Sequence, residues 1–215
     1  MDATFWHQKW ERREIGFHQQ QANPLLVAHF GKLNLAIGSR VMLPLCGKTR
    51  DIAWLLASGF RVAGAELSKI AVEELFDELE LAPQTQLAGP LWHYRADNID
   101  LFVGDIFELS ADLLGPVDAV YDRAALVALP AEIRQKYAAH LTGLTGAAPQ
   151  LLVAYEYDQL LAEGPPFSVA ADEVRDLYAG NYRLTPLACT VVEGGLKGKV
   201  PARETTWLIE KPDAQ

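Results

Sequence analysis

The sequence predicts an α/β fold: a mostly parallel sheet with helices on both faces, followed by a C-terminal antiparallel hairpin. Three observations carry this. Short apolar runs alternate with stretches of helical periodicity, the rhythm of parallel strands covered by helices. The last two strand-like runs are joined by a turn-rich loop with no helix, so they must be antiparallel neighbours. Half of the 215 residues are hydrophobic and 22% are charged, a globular composition with enough apolar surface for one sizeable core. A single domain over 1–215 is expected, with 1–35 as a helical cover and 36–215 as the α/β core.

The elements follow in order. A helical segment from Thr4 to Glu14 carries Trp6 and Trp10 one turn apart, with Phe17 beyond it. A second starts at Asn23-Pro24, a cap residue followed by a proline whose missing N–H does no harm in a first turn. The first strand is Arg40–Leu45. Its helix begins near Asp51, carries Ile52, Ala53, Leu55 and Leu56, and stops at Gly59. The second strand is Arg61–Glu66. Ser68 caps a helix with Ile70, Val72, Leu75, Phe76 and Leu79 at helical spacing. The third strand is Ile99–Val103, the fourth Val117–Tyr121, and a helix starts at Pro130. The fifth strand is Leu151–Tyr155. A short helix near Asp172–Ala179 leads to the hairpin, Tyr182–Val192 and Arg203–Glu210, joined by the Gly-rich loop 193–201.

Composition excludes several partners. The net charge is −9, with no long run of like charge. Nucleic-acid binders carry a basic face and polybasic membrane anchors need clustered Lys or Arg; neither is present. The longest stretch without Lys, Arg, Asp or Glu, Tyr137–Tyr155, is broken by Gly143, Gly146 and Pro149 and is not a membrane span. The start of the chain lacks the basic and apolar blocks of a signal peptide. Cys46 and Cys189 are too few and too far apart for a disulfide framework, so a reducing, cytoplasmic setting is expected. The expected partner is a small molecule; the sequence leaves the oligomeric state open, with a monomer slightly favoured.

In an open parallel sheet, ligands bind beyond the carboxyl ends of the strands near the switch in strand order. That edge carries Leu45–Thr49, Glu66–Ser68, Gly104–Phe107 and Tyr121–Arg123, and the hairpin's direction adds Arg203. Glu66 follows Gly47 by 19 residues and ends the second strand, the place for an acid that accepts hydrogen bonds from both ribose hydroxyls of a nucleoside cofactor. Asp105 either lies by the base or caps a helix N-terminus. Arg123 either faces an anion or pairs with Asp122 or Glu156.

Cys46-Gly47-Lys48-Thr49 looks like the end of a phosphate loop, but Met42 stands where that motif needs its first glycine. The same loop has one glycine, so the dinucleotide fingerprint is missing and an NAD-type oxidoreductase is disfavoured. A cofactor without phosphate needs no such cradle, and S-adenosylmethionine is one. Cys46 reads as a buried strand-end thiol rather than a nucleophile. The five histidines show no metal-ligand spacing, so no metal is expected. The tryptophans of the first segment either pack on the core or cover the site.

Five blocks carry a resemblance: Phe5-Trp6-His7-Gln8-Lys9-Trp10, Gly16-Phe17-His18-Gln19, Val41-Met42-Leu43-Pro44-Leu45-Cys46-Gly47-Lys48-Thr49, Gly64-Ala65-Glu66-Leu67-Ser68 and Tyr121–Leu129. Together the chain resembles the thiopurine S-methyltransferase family, strongly from Thr4 to about Leu129 and more weakly from Gly143 to Pro201. The resemblance implies a class I methyltransferase, Rossmann-like fold with S-adenosylmethionine at the sheet edge. It implies that Trp10 covers the cofactor, Leu45 touches it through its backbone, Glu66 holds the ribose, and Asp105 and Ile106 flank adenine. Arg123 would sit by the methionyl end and the acceptor, and Phe17 and Arg203 would line the acceptor pocket. Family members methylate aromatic and heterocyclic thiols, and bacterial relatives are associated with selenium and tellurium compounds. Direct in-line transfer to a thiolate is expected, with Asp122 as the competing candidate for a base acting through water. A non-catalytic, cofactor-binding member remains the other reading.

Overall fold

The computed structural model describes residues 3–16 and 18–212. Phe17, expected at the acceptor pocket, lies outside them. Nine strands form one sheet. Five are parallel: β1 (Arg40–Pro44), β2 (Arg61–Glu66), β5 (Ile99–Val103), β6 (Ala119–Arg123) and β7 (Gln150–Tyr157). A hairpin of β3 (Gln84–Ala88) and β4 (Leu91–Ala96) runs antiparallel on β5. A second hairpin, β8 (Arg183–Val191) and β9 (Ala202–Glu210), runs antiparallel on β7. The order is β3-β4-β5-β2-β1-β6-β7-β9-β8. Chain order reverses between β1 and β6, which marks the ligand edge.

Alternation along the strands fills two cores. Met42 packs on one face with Phe102, Tyr137, Leu141, Val174 and Tyr178. Leu43, its neighbour, packs on the other with Leu26, Phe30, Ile52, Leu55, Val72 and Phe76. Helices α6 (Ala131–Leu144) and α7 (Ala171–Tyr178) cover the first face. Helices α2 (Pro24–His29), α3 (Arg50–Ala57) and α4 (Lys69–Glu78) cover the second. The caps form as their residue types demand: Asn23 Oδ1 accepts from Leu25 N–H at 2.8 Å and Ser68 Oγ from Ala71 N–H at 3.3 Å, each worth about 1 kcal/mol. The N-terminal helix α1 (Ala3–Glu11) contacts α4, and the small α5 (Ala111–Leu114) contacts α6.

Besides shifts of one to three residues at other element ends, the structure departs from the sequence reading in three places. The fourth parallel strand starts at Ala119 because Asp118 is spent on β1: its N–H donates to Arg40 O at 2.8 Å and its carboxylate accepts from Arg40 N–H at 2.7 Å. Pro130 is extended, with ψ 153, so it caps α6 rather than opening it. The β3–β4 hairpin was not anticipated: β3 is almost wholly exposed and polar, and gives no apolar alternation to detect. Among the described residues, no helix is long and apolar enough to cross a membrane.

Candidate active site

The loop after β1 turns sharply. Leu45 has φ +46 and Gly47 φ +54, both left-handed. A Cβ on Gly47 would lie 3.1 Å from the Trp10 ring, so glycine serves both the turn and the close approach of α1. Trp10 is only 4% exposed, which brings the N-terminal segment down onto this loop.

Glu66 ends β2 beside it, 6% exposed. Its Oε2 accepts from Gly47 N–H at 2.7 Å and its Oε1 from Ser68 N–H at 2.8 Å. Burial pushes its pKa up, opposed by the N–H groups of Ser68, Gly47 and Leu67. A carboxylate offers about four acceptor sites, so after these two bonds it retains capacity for a pair of hydroxyl donors. Cys46, in the same loop, is buried, and burial raises its thiol well above the ordinary range. It is not a nucleophile in this state.

Arg123 ends β6, across the switch point, and Ala124 behind it takes a left-handed φ of +63. Both line the same cavity as Glu66. The cavity measures about 580 Å³, within the range for a small-molecule site, and its walls include Trp10, Leu45, Gly47, Glu66, Arg123 and Tyr155. Two further segments line it. Pro165 and Pro166 come from the loop after β7, and Leu196 and Lys197 from the β8–β9 loop. Lys197 Nζ donates to Pro165 O at 2.9 Å, tying these walls together. The sequence reading assigned no role to either segment. The Gly164-Pro165-Pro166 turn just beyond a parallel strand was the available signal.

Lys48 reaches the cavity with its stem, but its ammonium is taken by Glu74 and Glu78, each at 2.8 Å. Burial lowers its pKa and these two bonds more than offset that. Arg13 joins Glu74 at 3.1 Å, which fastens the N-terminal segment to α4. His18, another lining residue, to which the sequence reading gave no role in the site, has its pKa lowered by burial and then by Lys48.

Four expected residues therefore border one cavity: Trp10, Leu45, Glu66 and Arg123. Asp105 and Ile106 lie at the end of β5, next to β2, but do not line it. Asp105 is exposed and caps a 3-10 turn through Phe107 N–H at 3.0 Å, and Ile106 is buried in the core. Arg203 is exposed, away from the cavity walls. It pairs with Glu156, whereas Arg123 pairs with Val153, so the two arginines project from opposite faces of the sheet. Asp122 also faces away from Arg123. It is fully buried and accepts from Tyr137 OH at 2.7 Å and Leu126 N–H at 3.1 Å. Burial lifts its pKa to about 6 against these hydrogen bonds. It anchors the loop behind Arg123 and has no opening to the cavity. Among the described residues no three His, Cys, Asp or Glu side chains converge as a metal site.

The residues fit S-adenosylmethionine. The buried acid suits ribose hydroxyls, the one-glycine loop offers no phosphate cradle, and the Arg123 guanidinium, a group suited to a carboxylate, lines the same cavity. Sheet order, switch point and acid together define a class I methyltransferase, a class that takes its methyl group from S-adenosylmethionine. The comparisons agree. A solved methyltransferase from Burkholderia thailandensis, described with 1,6-didemethyltoxoflavin and S-adenosylhomocysteine, superposes with a TM-score of 0.65 at 15% identity, over 97% of this chain and 87% of that one. A methyltransferase from Methanosarcina mazei gives 0.64 at 12% identity, over 90% and 100%. The family model for thiopurine S-methyltransferase matches residues 1–199. A protein of that name from Xanthobacter autotrophicus is 56% identical over 98% of this chain and all of its own length, and one from Gluconobacter oxydans 51% over 96% and 94%. The chain belongs to the thiopurine S-methyltransferase family, and it is a methyltransferase.

Proposed function

We propose that the enzyme methylates small aromatic or heterocyclic thiols, with selenium and tellurium species as further candidate acceptors. The observation that carries this is that Arg123 and Glu66 line one cavity, together with Tyr155 and Lys197. S-adenosylmethionine supplies, when bound, an electrophilic methyl group on a sulfonium. Glu66 accepts the ribose hydroxyls, the Leu45 backbone touches the cofactor, and Trp10 keeps water from it. Arg123 favours the anionic form of the acceptor, since a neighbouring cation lowers a thiol's pKa. Held beside Arg123 as its thiolate, the nucleophilic form of sulfur, the acceptor would take the methyl group as the methyl–sulfonium bond breaks, leaving S-adenosylhomocysteine. Asp105 and Ile106, at the end of β5 next to the strand that carries Glu66, would flank the adenine. Asp122 acts on this chemistry only by holding the Arg123 loop.

A panel of heterocyclic thiols, aryl thiols and a selenol, incubated with S-adenosylmethionine and scored for methylated product, tests the proposal. Turnover of thiols is expected. Binding of the cofactor without turnover of any panel member would leave a cofactor-binding protein and overturn the reading.

A further inference from the structure

Gly16, His18 and Gln19 all line the cavity, and Gln19, half-buried, has no assigned role. The direction of its amide is set from the next helix. Asn23 caps α2: its Oδ1 accepts from Leu25 N–H at 2.8 Å, so its Nδ2 is left to donate. That Nδ2 faces Gln19 Oε1 at 3.4 Å, which turns the Gln19 Nε2 the other way. Asn23 is itself fixed. It is 1% exposed and donates its backbone N–H to Asp51 Oδ1 at 2.6 Å, while Asp51 Oδ2 accepts from Tyr121 OH at 3.1 Å. Tyr121 precedes Arg123 by two residues on β6, so a chain of hydrogen bonds ties Gln19 to the strand that presents the guanidinium. His18, next to Gln19, feels the charges of Lys48, Glu78, Arg50 and Arg123, which places this segment near both the β1 loop and Arg123. Among the described residues the Nε2 N–H groups of Gln19 have no hydrogen-bond partner, and they are not sealed off from a ligand.

We infer that Gln19 is a further cofactor-binding residue, whose Nε2 N–H groups donate to the methionyl carboxylate of S-adenosylmethionine beside the Arg123 guanidinium. This rests on the proposed placement of Arg123 at that end of the cofactor. Asp51 lies in the first turn of α3, directly after the β1 loop that borders the cofactor, so the clasp through Asn23 holds Gln19 on the cofactor's side of the cavity. A carboxylate offers about four acceptor sites, more than one guanidinium edge fills, and a neutral donor pair completes its shell. Because Asn23 and Asp51 aim the amide before any ligand arrives, little ordering cost falls on binding. The contact also links the segment before α2 to the cofactor: Gln19 gains its hydrogen bonds only when the carboxylate is present.

The test measures dissociation constants by calorimetry for S-adenosylhomocysteine and for its decarboxylated analogue, in wild type, Gln19→Ala, Gln19→Glu, Asn23→Ser and Arg123→Ala. Melting curves verify folding. Gln19→Ala should weaken S-adenosylhomocysteine by about 10-fold, the low end for a hydrogen bond to a charged group, and leave the analogue within about twofold. Gln19→Glu, which puts acceptors and a negative charge where the donors were, should lose more on S-adenosylhomocysteine and spare the analogue. Asn23→Ser keeps a cap oxygen but not the amide that aims Gln19, and should show part of the loss. In turnover, Gln19→Ala should raise the KM of S-adenosylmethionine more than it lowers kcat. Equal weakening of both ligands in folded Gln19→Ala, or of neither, overturns the inference alone. A preference for the carboxylate that is lost in Gln19→Ala but intact in Arg123→Ala supports Gln19 and overturns the placement of Arg123. A wild type that binds both ligands equally overturns both.

Discussion

Glu66 has two functions at once. It tethers the β1 loop and the start of α4 through Gly47 and Ser68, and it faces the cavity. Glu66→Ala removes both, leaving two buried N–H groups unpaired. It should weaken S-adenosylhomocysteine binding by about 1.5–3 kcal/mol in calorimetry, with Glu66→Gln between it and wild type; unchanged affinity in a folded Glu66→Ala would remove this residue from the site. Asp122 gives a second prediction. Its folded pKa of about 6 lies above the ordinary 3.8, so the folded state keeps the proton longer than the unfolded chain. The associated stability is present below about pH 4 and lost as pH rises through about 6. The stability of wild type minus that of Asp122→Asn should fall by about 2 kcal/mol between pH 4 and 7. A flat or rising difference, from denaturant melts at each pH, would contradict the buried ionisation. Glu66 and Arg123 were legible in the sequence because each ends a parallel strand. The direction of Arg203 was not, since strand ends set the edge while residue-by-residue register sets the face, and register past a nine-residue loop, 193–201, is invisible without coordinates.

At the scale of elements, α1 and the β1 loop meet at Trp10 and Gly47, and Arg13 pins the segment to α4. Trp6 and Trp10 could be read from the sequence as core or as cover. The structure gives both halves: Trp10 is buried, and both line the cavity. Bound cofactor product should therefore slow hydrogen exchange across 3–22. At ligand 100-fold above Kd, linkage allows up to about 2.7 kcal/mol, or about 100-fold, for openings that release the ligand. Equal exchange with and without ligand would mean a helix packed independently of the site. Gly47→Ala should destabilise by about 1–2 kcal/mol for its left-handed φ, with further loss from the Trp10 contact, read from melting and from quenching of tryptophan fluorescence. A variant as stable as wild type would show that the loop does not need this conformation. The walls at Pro165 and Lys197 escaped the sequence reading because they converge from loops separated by more than 30 residues, and only the fold brings them together.

Across the whole molecule, the β-α-β rhythm was enough to fix the parallel core and its ligand edge, while the exposed β3–β4 hairpin left no periodic trace. The protein carries a net charge of −9, so the guanidinium of Arg123 is a local cation in an acidic chain. On the proposed mechanism this cation receives an acceptor that arrives as its thiolate, with no protein base taking its proton. The direct measurement is kcat/KM against pH for a series of thiols of different pKa, in wild type, Arg123→Ala and Asp122→Asn. The acidic limb should move with each thiol's own pKa, and Arg123→Ala should lose about 10–100-fold on the anionic form, about the worth of one charged hydrogen bond. A limb fixed at one pH for every thiol, and abolished in Asp122→Asn, would contradict it and place a protein base in the reaction.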